Sequence, residues 1–171
     1  MADGGGDLQR ISDPAVGDIP GDYSPDGSQI VLFREGAELG VGELFIVDTD
    51  AGGEPVRISP DGMEVGNTVR FSPDGSRILF QDSRTSPRGA LWTMTPDGSD
   101  VTMIFEDDEG RFASHATWSP DGSMIMFALN PVADEFEHRP NGLYVMNADG
   151  SDVQLVIGGD DFKRESEWRI P

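Results

Sequence analysis

The sequence predicts an all-β protein built from repeated four-stranded antiparallel sheets. One ten-residue segment occurs three times with little change, at Tyr23–Leu32, Phe71–Phe80 and Trp118–Phe127. The leading aromatic residues lie 48 and 47 residues apart, and Trp168 follows 50 residues later. The chain also has 22 Gly and 12 Pro in short clusters between β-branched and aromatic runs, which is typical of short strands joined by tight turns. A fixed period of this size indicates a repeat protein.

Each repeat is predicted to hold four strands, which we call A to D in chain order. Strand A ends at the leading aromatic residue, and apolar residues then recur at alternate positions, as burial between neighbouring sheets requires. Strand B is predicted at Gln29–Phe33, Arg77–Phe80 and Met124–Phe127. Strand C is predicted at Leu44–Val47, Leu91–Met94 and Leu143–Met146, and strand D at Val56–Ile58, Val101–Ile104 and Val153–Val156.

Two turns with glycine are predicted in each repeat. In Ser-Pro-Asp-Gly, proline presets φ at the first corner, Asp accepts hydrogen bonds from backbone amides, and Gly takes the left-handed position. This motif predicts a tight hairpin between strands A and B. A second turn links strands C and D at Asp97-Gly-Ser-Asp100 and Asp149-Gly-Ser-Asp152, with the degenerate form Asp50-Ala-Gly-Gly-Glu54 in the first repeat.

The repeated motif resembles a known family. An aromatic-Ser-Pro-Asp-Gly-Ser-x-Ile segment followed by Leu-Tyr-Val-Met-Asn-Ala-Asp-Gly-Ser-Asp, complete at 118–127 and 143–152, is similar to the WD-like β-propeller repeat of TolB-type proteins. The resemblance covers nearly the whole chain. It implies a β-propeller whose four-stranded antiparallel blades surround a channel. It also implies an extracytoplasmic, periplasmic or secreted, scaffold that binds proteins.

The chain is interpreted as one propeller segment over residues 1–171. Residues 1–21 are the outer strand of a preceding blade and a linker, 22–58, 69–105 and 116–157 are blades 1 to 3, and 158–171 are a linker and the inner strand of a next blade. The propeller is expected to be partial or completed by oligomerisation, because three blades by themselves leave two apolar sheet faces uncovered. A second copy, a companion segment of a longer parent or an open repeating assembly would cover them. We favour self-association.

Composition limits the classes of partner. Because 32 acidic residues stand against 12 basic ones, the formal charge is -20, which argues against binding to nucleic acid or to an anionic membrane surface. The hydrophobic content of 36% is that of a globular chain. With no cysteine, disulfides and thiolate metal sites are excluded. No apolar run is long enough for a signal peptide or a membrane span.

Function is expected on the end of the blades that carries the loops of variable length. Connections alternate between the two ends of a blade, so the B–C and D–A loops share one end, and rigid scaffolds carry binding residues on such loops. Carboxylates there are candidate ligands for Ca²⁺, which prefers oxygen, although their spacing matches no defined calcium loop and a solvated acidic surface is the alternative. The candidates are Asp107, Asp108, Asp134, Glu135 and Glu137, with Glu109, Asp160 and Asp161 nearby.

The same loops hold candidate partner-binding residues. Aromatic side chains dominate binding hot spots, but these phenylalanines could equally fold back to cap the core. Some metal-dependent lyases with propeller folds place histidines at blade ends near the channel, and the two histidines of this chain could bind a transition metal in that way. The alternative is that both are simply hydrogen-bonded or exposed. The partner-binding candidates are Phe112, His115, Phe136, His138 and Phe162.

We therefore predict a non-enzymatic interaction or structural scaffold module that self-associates or is completed by a complementary propeller segment. The sequence has no Gly-x-Ser-x-Gly elbow and few residues that could serve as the base of a triad. The alternative is an accessory propeller of a hydrolase or of a metal-dependent polysaccharide lyase-like enzyme.

Overall fold

A computed structural model describes residues 17–37, 41–50, 53–82, 89–109, 111–130 and 141–159. Twelve strands lie within these ranges. They are β1 (Asp18–Tyr23), β2 (Gln29–Glu35), β3 (Gly42–Asp48), β4 (Val56–Arg57), β5 (Val65–Phe71), β6 (Ile78–Asp82), β7 (Leu91–Met94), β8 (Thr102–Phe105), β9 (Phe112–Trp118), β10 (Met124–Asn130), β11 (Asn141–Asn147) and β12 (Gln154–Gly159).

The strands pair as three consecutive four-stranded antiparallel blades, which confirms the predicted fold class. Blade 1 is β1 to β4, blade 2 is β5 to β8 and blade 3 is β9 to β12, with each strand paired to its neighbour in sequence. A single pair, Gly42 with Val65, joins blades 1 and 2 into one sheet. All three predicted sets of B, C and D strands are present with small differences at their ends.

Strand A of each blade is longer than the sequence predicts. The blades begin at Asp18, Val65 and Phe112 rather than at 22, 69 and 116. The pairing of each strand A with strand B also shifts register, for example between Met126 and Ala128. An extra residue in one strand interrupts the alternation of side chains, so the sequence pattern showed only the end of each strand A.

The repeated A–B turn is held by a buried serine and an exposed aspartate. In blade 3, Ser119 Oγ donates to Asp121 Oδ1 at 2.6 Å, and the amide and hydroxyl of Ser123 donate to the same oxygen at 3.0 and 2.8 Å. Ser119 Oγ in turn accepts from the amide of Met124 at 2.9 Å. The same bonds recur in the turns of blades 1 and 2. The Ser-Pro-Asp-Gly-Ser motif is therefore explained by turn chemistry.

Two apolar layers lie between the blades. The layer between blades 1 and 2 includes Val31 and Phe33 on one side and Ile78 and Phe80 on the other. The layer between blades 2 and 3 is built in the same way and includes Leu79, Leu91, Ile125, Phe127 and Trp118. Alternate residues of strand B thus face opposite layers, which is why the strand is apolar on both sides.

Consecutive blades also touch through the glycines of their turns. A Cβ atom on Gly75 would lie 3.3 Å from Cδ of Pro25 in the preceding blade, and one on Gly122 would lie 3.5 Å from Cδ of Pro73. At the C–D turn the approach is closer, because a Cβ atom on Gly150 would lie 2.0 Å from the carbonyl oxygen of Ile104. These glycines set the distance between blades.

The face of blade 1 that points away from blade 2, which we call the leading face, differs from the expectation of two uncovered flanks. Its central side chains Ile30, Leu32, Phe45 and Val47 form a separate buried cluster. The expectation of an uncovered face is therefore wrong for the middle of blade 1. The turn end of the leading face, described below, is open.

Substitution of Gly150 by alanine is expected to destabilise the fold strongly. Gly150 has φ of 87°, and its Cβ would also collide with backbone that cannot move without displacing blade 2. We expect a loss of more than about 3 kcal/mol in the free energy of unfolding, measured by urea denaturation.

Gly62→Ala is the matched control, because Gly62 has φ of 76° but nothing within 4 Å of its Cβ position. It should cost about 1–2 kcal/mol from the left-handed backbone. Equal losses for the two variants would show that the contact between blades does not constrain Gly150.

Candidate functional site

The most distinctive surface is the face of blade 3 that points away from blade 2, which we call the trailing face. Met126, Leu143 and Val145 of β10 and β11 lie on it, because Ile125, Phe127 and Met146 at the alternate positions pack toward blade 2. All three are half-buried. Strand β12 adds Val156 and Ile157, whose side chains are 55% and 50% exposed.

The equivalent residues of the other blades are covered. Ile58 of blade 1, at the position of Val156, is 5% exposed and belongs to the layer against blade 2. Phe105 of blade 2, at the position of Ile157, packs on Phe127 of blade 3 with ring centroids 4.7 Å apart. The trailing face thus carries apolar residues of the kind that blades 1 and 2 use to contact the next blade. Strand β12 of this face is exposed.

The turn end of the leading face is open in the corresponding way. Tyr23 is 61% exposed, whereas the equivalent Phe71 and Trp118 are 6% and 9% exposed. Gly27 has nothing within 4 Å of its Cβ position, whereas Gly75 and Gly122 contact prolines of the preceding blade. At this end, blade 1 therefore exposes the residues that blades 2 and 3 use to contact the preceding blade.

A cleft of about 490 Å³ lies between blades 2 and 3 at the end that carries the A–B and C–D turns. Trp118 and Ile104 form part of its wall, with Asp74, Asp121 and Asp149 around it. The A–B and C–D turns therefore lie at the same end of the blades, as the alternating connections between strands predict.

A second cleft, of about 540 Å³, lies at the opposite end between blades 1 and 2, among the B–C and D–A loops. Arg34 and Arg57 line it, and both guanidinium groups are already paired. Arg34 Nε donates to Asp18 Oδ1 at 2.7 Å, and Arg34 Cζ lies 4.2 Å from the centroid of the Phe45 ring. Arg57 binds Glu43 at 2.7 Å and Asp61 at 2.6 Å. Ion pairs rather than free charges line this cleft.

Asp107, the first acidic candidate, is bound to an arginine. Its side chain is 5% exposed, Arg111 Nη2 donates to Oδ1 at 2.8 Å, and the amide of Arg111 donates to Oδ2 at 2.9 Å. Burial raises the pKa of Asp107, but the Arg111 donors and positive charge outweigh it and bring the pKa below its ordinary value. Asp107 therefore closes a loop, while Asp108 and Glu109 beside it are exposed.

His115 lies inside β9, not before it as the sequence suggests. The strand bulges at this point, and His115 has φ of 55° with an exposed side chain. Its Nδ1 is 3.0 Å from Ser114 Oγ. Phe112 begins the same strand and is half-buried, near the position that a Cβ atom on Gly89 would take. Among the described residues, His115 and Asp107 do not belong to a group that could hold a metal ion.

The remaining candidates lie outside the described residues. They are Asp134, Glu135, Phe136, Glu137, His138, Asp160, Asp161 and Phe162. Within the part of the chain that the structure describes, no three His, Asp or Glu side chains form a group that could hold a metal ion. The described residues also include no helix of the length and apolarity needed to cross a membrane.

The turn aspartates are the most strongly perturbed acids at the turn end. Hydrogen bonds from the hydroxyls of Ser24, Thr95 and Ser119, followed by those of the next serine in each turn, lower the pKa of Asp26, Asp97 and Asp121 to about 2. The same cause lowers the pKa of Asp74 and Asp149. These carboxylates stay ionised and accept hydrogen bonds, so five of the 32 acidic residues hold turns.

Sequence reasoning missed the residues of the two faces, Tyr23, Val156 and Ile157. Their signal was present in the repeat alignment, because each stands at a position that is buried or half-buried in another repeat. The loop candidates attracted attention through charge and aromaticity, whereas these residues look like ordinary core positions.

Comparison with known proteins supports the same fold. No protein-family model matches the chain. An uncharacterized protein of Agrobacterium fabrum is 31% identical over 153 residues, which are 85% of this chain and 49% of that protein. A structure assigned as TolB from Agrobacterium tumefaciens has a TM-score of 0.69 at 26% identity and covers 83% of this chain and 50% of that one. The chain thus spans about half the length of these two proteins.

Other similar proteins include a second TolB and a lyase. TolB from Acinetobacter baumannii has a TM-score of 0.63 at 18% identity, over 82% of this chain and 32% of that one. An oligogalacturonide lyase of Pectobacterium atrosepticum is 28% identical over 96 residues, which are 56% of this chain and 22% of the lyase. The β-propeller fold is common to the structural neighbours, and the similar proteins include both TolB and a lyase.

Acid is expected to destabilise the protein through the turn aspartates. An unfolded Asp has its ordinary pKa of 3.8 and Asp121 has a pKa of about 2, so the unfolded state takes up protons first. The stabilisation is therefore complete above about pH 5 and is lost between roughly pH 4 and 2. Melting temperatures of wild type and Asp121→Asn across this range should converge as pH falls, because the variant has no charge there to lose. A constant difference between the two curves would contradict this expectation.

Loss of the Asp107 carboxylate should destabilise its loop. Asp107→Ala leaves the half-buried Arg111 without its main acceptor, and we expect roughly 2–3 kcal/mol less stability in urea denaturation. Glu109→Ala is the control, since its 70% exposed side chain lies 3.3 Å from the same guanidinium and should cost under about 1 kcal/mol. A similar loss for both variants would show that the buried ion pair between Asp107 and Arg111 does not stabilise the loop.

Proposed function

We propose that this TolB-like β-propeller repeat chain is a non-enzymatic interaction module that associates with another propeller segment through the trailing face of blade 3. Self-association is the form we favour, and a complementary segment of a different chain is the other. The resemblance to TolB-type proteins also leads us to place the module outside the cytoplasm.

The observation that carries the proposal is the difference between Val156 and its equivalent in blade 1. Both are apolar residues in strand D, yet Val156 is 55% exposed and Ile58 is 5% exposed. Burial of one such side chain contributes about 1.5–3 kcal/mol. A strand that exposes Val156 and Ile157 together, beside Leu143 of the trailing face, is typical of a surface that meets other protein.

The shape of the surface supports a propeller segment as the partner. The trailing face has apolar residues at positions that face the following blade in blade 1, with Leu143 at the position of Leu44 and Val145 at that of Ile46. This chain matches about half of the length of the Agrobacterium relative, and a partner segment of similar size would bring the assembled length to that of the relative. Protein partners are also what the resemblance to TolB-type scaffolds implies.

The charge of the chain sets how such an association should respond to salt. Two copies of a chain with a net charge of -20 repel each other, and salt screens that repulsion. An association driven by apolar contact should therefore tighten as salt rises.

The molecular mass in solution tests the proposal. We expect sedimentation equilibrium or light scattering to show concentration-dependent association that is stronger at 0.5 M than at 0.05 M NaCl. The expected fall in dissociation constant is at least about fivefold. A chain that stays monomeric up to about 100 μM in both salts would overturn self-association, and association that weakens with salt would point to an interface made of ion pairs.

A further inference from the structure

We propose that the partner on the trailing face of blade 3 is a second copy of this chain, docked by its leading face, so that blade 1 of one copy follows blade 3 of the other. This inference rests on the proposed function and adds the orientation of the two copies. In a pair of copies, the leading face of each copy meets the trailing face of the other, which gives a closed pair with two equivalent interfaces.

The contact between consecutive blades is already built twice in the chain. In each case the leading aromatic residue of the later blade is buried against the earlier one, as Phe71 and Trp118 are. In each case a turn glycine of the later blade rests against a turn proline of the earlier one, as Gly122 rests on Pro73 at 3.5 Å from its Cβ position. A third contact of this kind needs an aromatic residue and a glycine on one side, and a proline and an apolar strand D on the other.

Both halves of that third contact are present at opposite ends of the described chain. Tyr23 and Gly27 form the first half, because Tyr23 is 61% exposed and nothing lies within 4 Å of the Cβ position of Gly27. Pro120 and Val156 form the second, and both are exposed. Since the in-chain contacts join residues of these same types at these same repeat positions, a second copy supplies the complementary half at the turn end of the leading face.

Two observations define how far the contact extends. The middle of the leading face, with Ile30 and Phe45, is already buried within the chain, so the second copy meets blade 1 at the turn end, where Tyr23 and Gly27 lie. The matched segment of 153 residues is 49% of the Agrobacterium relative, so two such segments reach the length of one relative. Six blades in a closed pair are thus consistent with the size of a complete protein of this kind.

Two variants with one control test the orientation. Tyr23→Asp places a carboxylate on the leading face and Val156→Asp places one on the trailing face, and burial of an unpaired carboxylate is unfavourable. Each should raise the dissociation constant of the pair by at least about tenfold. Val56→Asp, at a residue of strand D that is 63% exposed, adds the same charge outside both faces and should change the constant by less than about twofold.

An equimolar mixture of the two variants separates head-to-tail docking from other arrangements. A mixed pair keeps one interface in which both sides are wild type, so the mixture should associate more tightly than either variant by itself. Fluorescent labelling of one variant and sedimentation would measure this. Far-ultraviolet circular dichroism and melting curves check the fold, and Tyr23→Ser and Val156→Ser replace any variant that does not fold.

Each alternative outcome overturns a defined part of the account. If wild type associates but Tyr23→Asp has no effect, the copies meet trailing face to trailing face and the orientation proposed here is wrong, while the proposed function stands. If both variants weaken association and the mixture is no tighter, head-to-tail docking is also wrong. A wild type that is monomeric throughout removes the proposed self-association itself and this inference with it.

Discussion

Contact between consecutive blades is the constraint on which the rest of this structure depends. A four-stranded blade has apolar side chains on both faces, so it is stable only when another layer covers each of them. Val31 and Phe33 pack against Ile78 and Phe80, and the next layer repeats the arrangement. The distance between blades is set at the turns, where the carbonyl oxygen of Ile104 leaves no room for a side chain at Gly150.

This constraint explains why the ends of the array carry the candidate interface. Val156 and Ile58 occupy the same place in their blades and differ in whether a following blade covers them. Tyr23 and Phe71 differ in the same way with respect to a preceding blade. The chemistry of a binding surface here is the chemistry of the core, exposed on the outer faces of the first and third described blades. Charge has a different role, since the turn aspartates accept the hydrogen bonds that shape each hairpin.

Much of the fold could be predicted because its determinants are local. The Ser-Pro-Asp-Gly-Ser turn closes through bonds between residues at most five apart, such as Met124 to Ser119, and strands B and C alternate with period two. The bulges in strand A could not be predicted, because an extra residue breaks that period. His115 was misplaced for this reason. Asp107 was read as a candidate ligand because its partner Arg111 gives no pattern that a sequence reveals.

The sequence by itself determined the repeat length, the four strands of each blade, the turns and the acidity of the chain. Those features follow from residues close together along the backbone, so they are the same in every repeat. The tertiary structure decided which copies of a repeated residue are buried, and therefore that Val156, Ile157 and Tyr23 are surface residues while Ile58, Phe105 and Phe71 are covered to a greater extent. Burial depends on a neighbouring blade about one repeat away in the chain, and no local pattern records whether that neighbour is there.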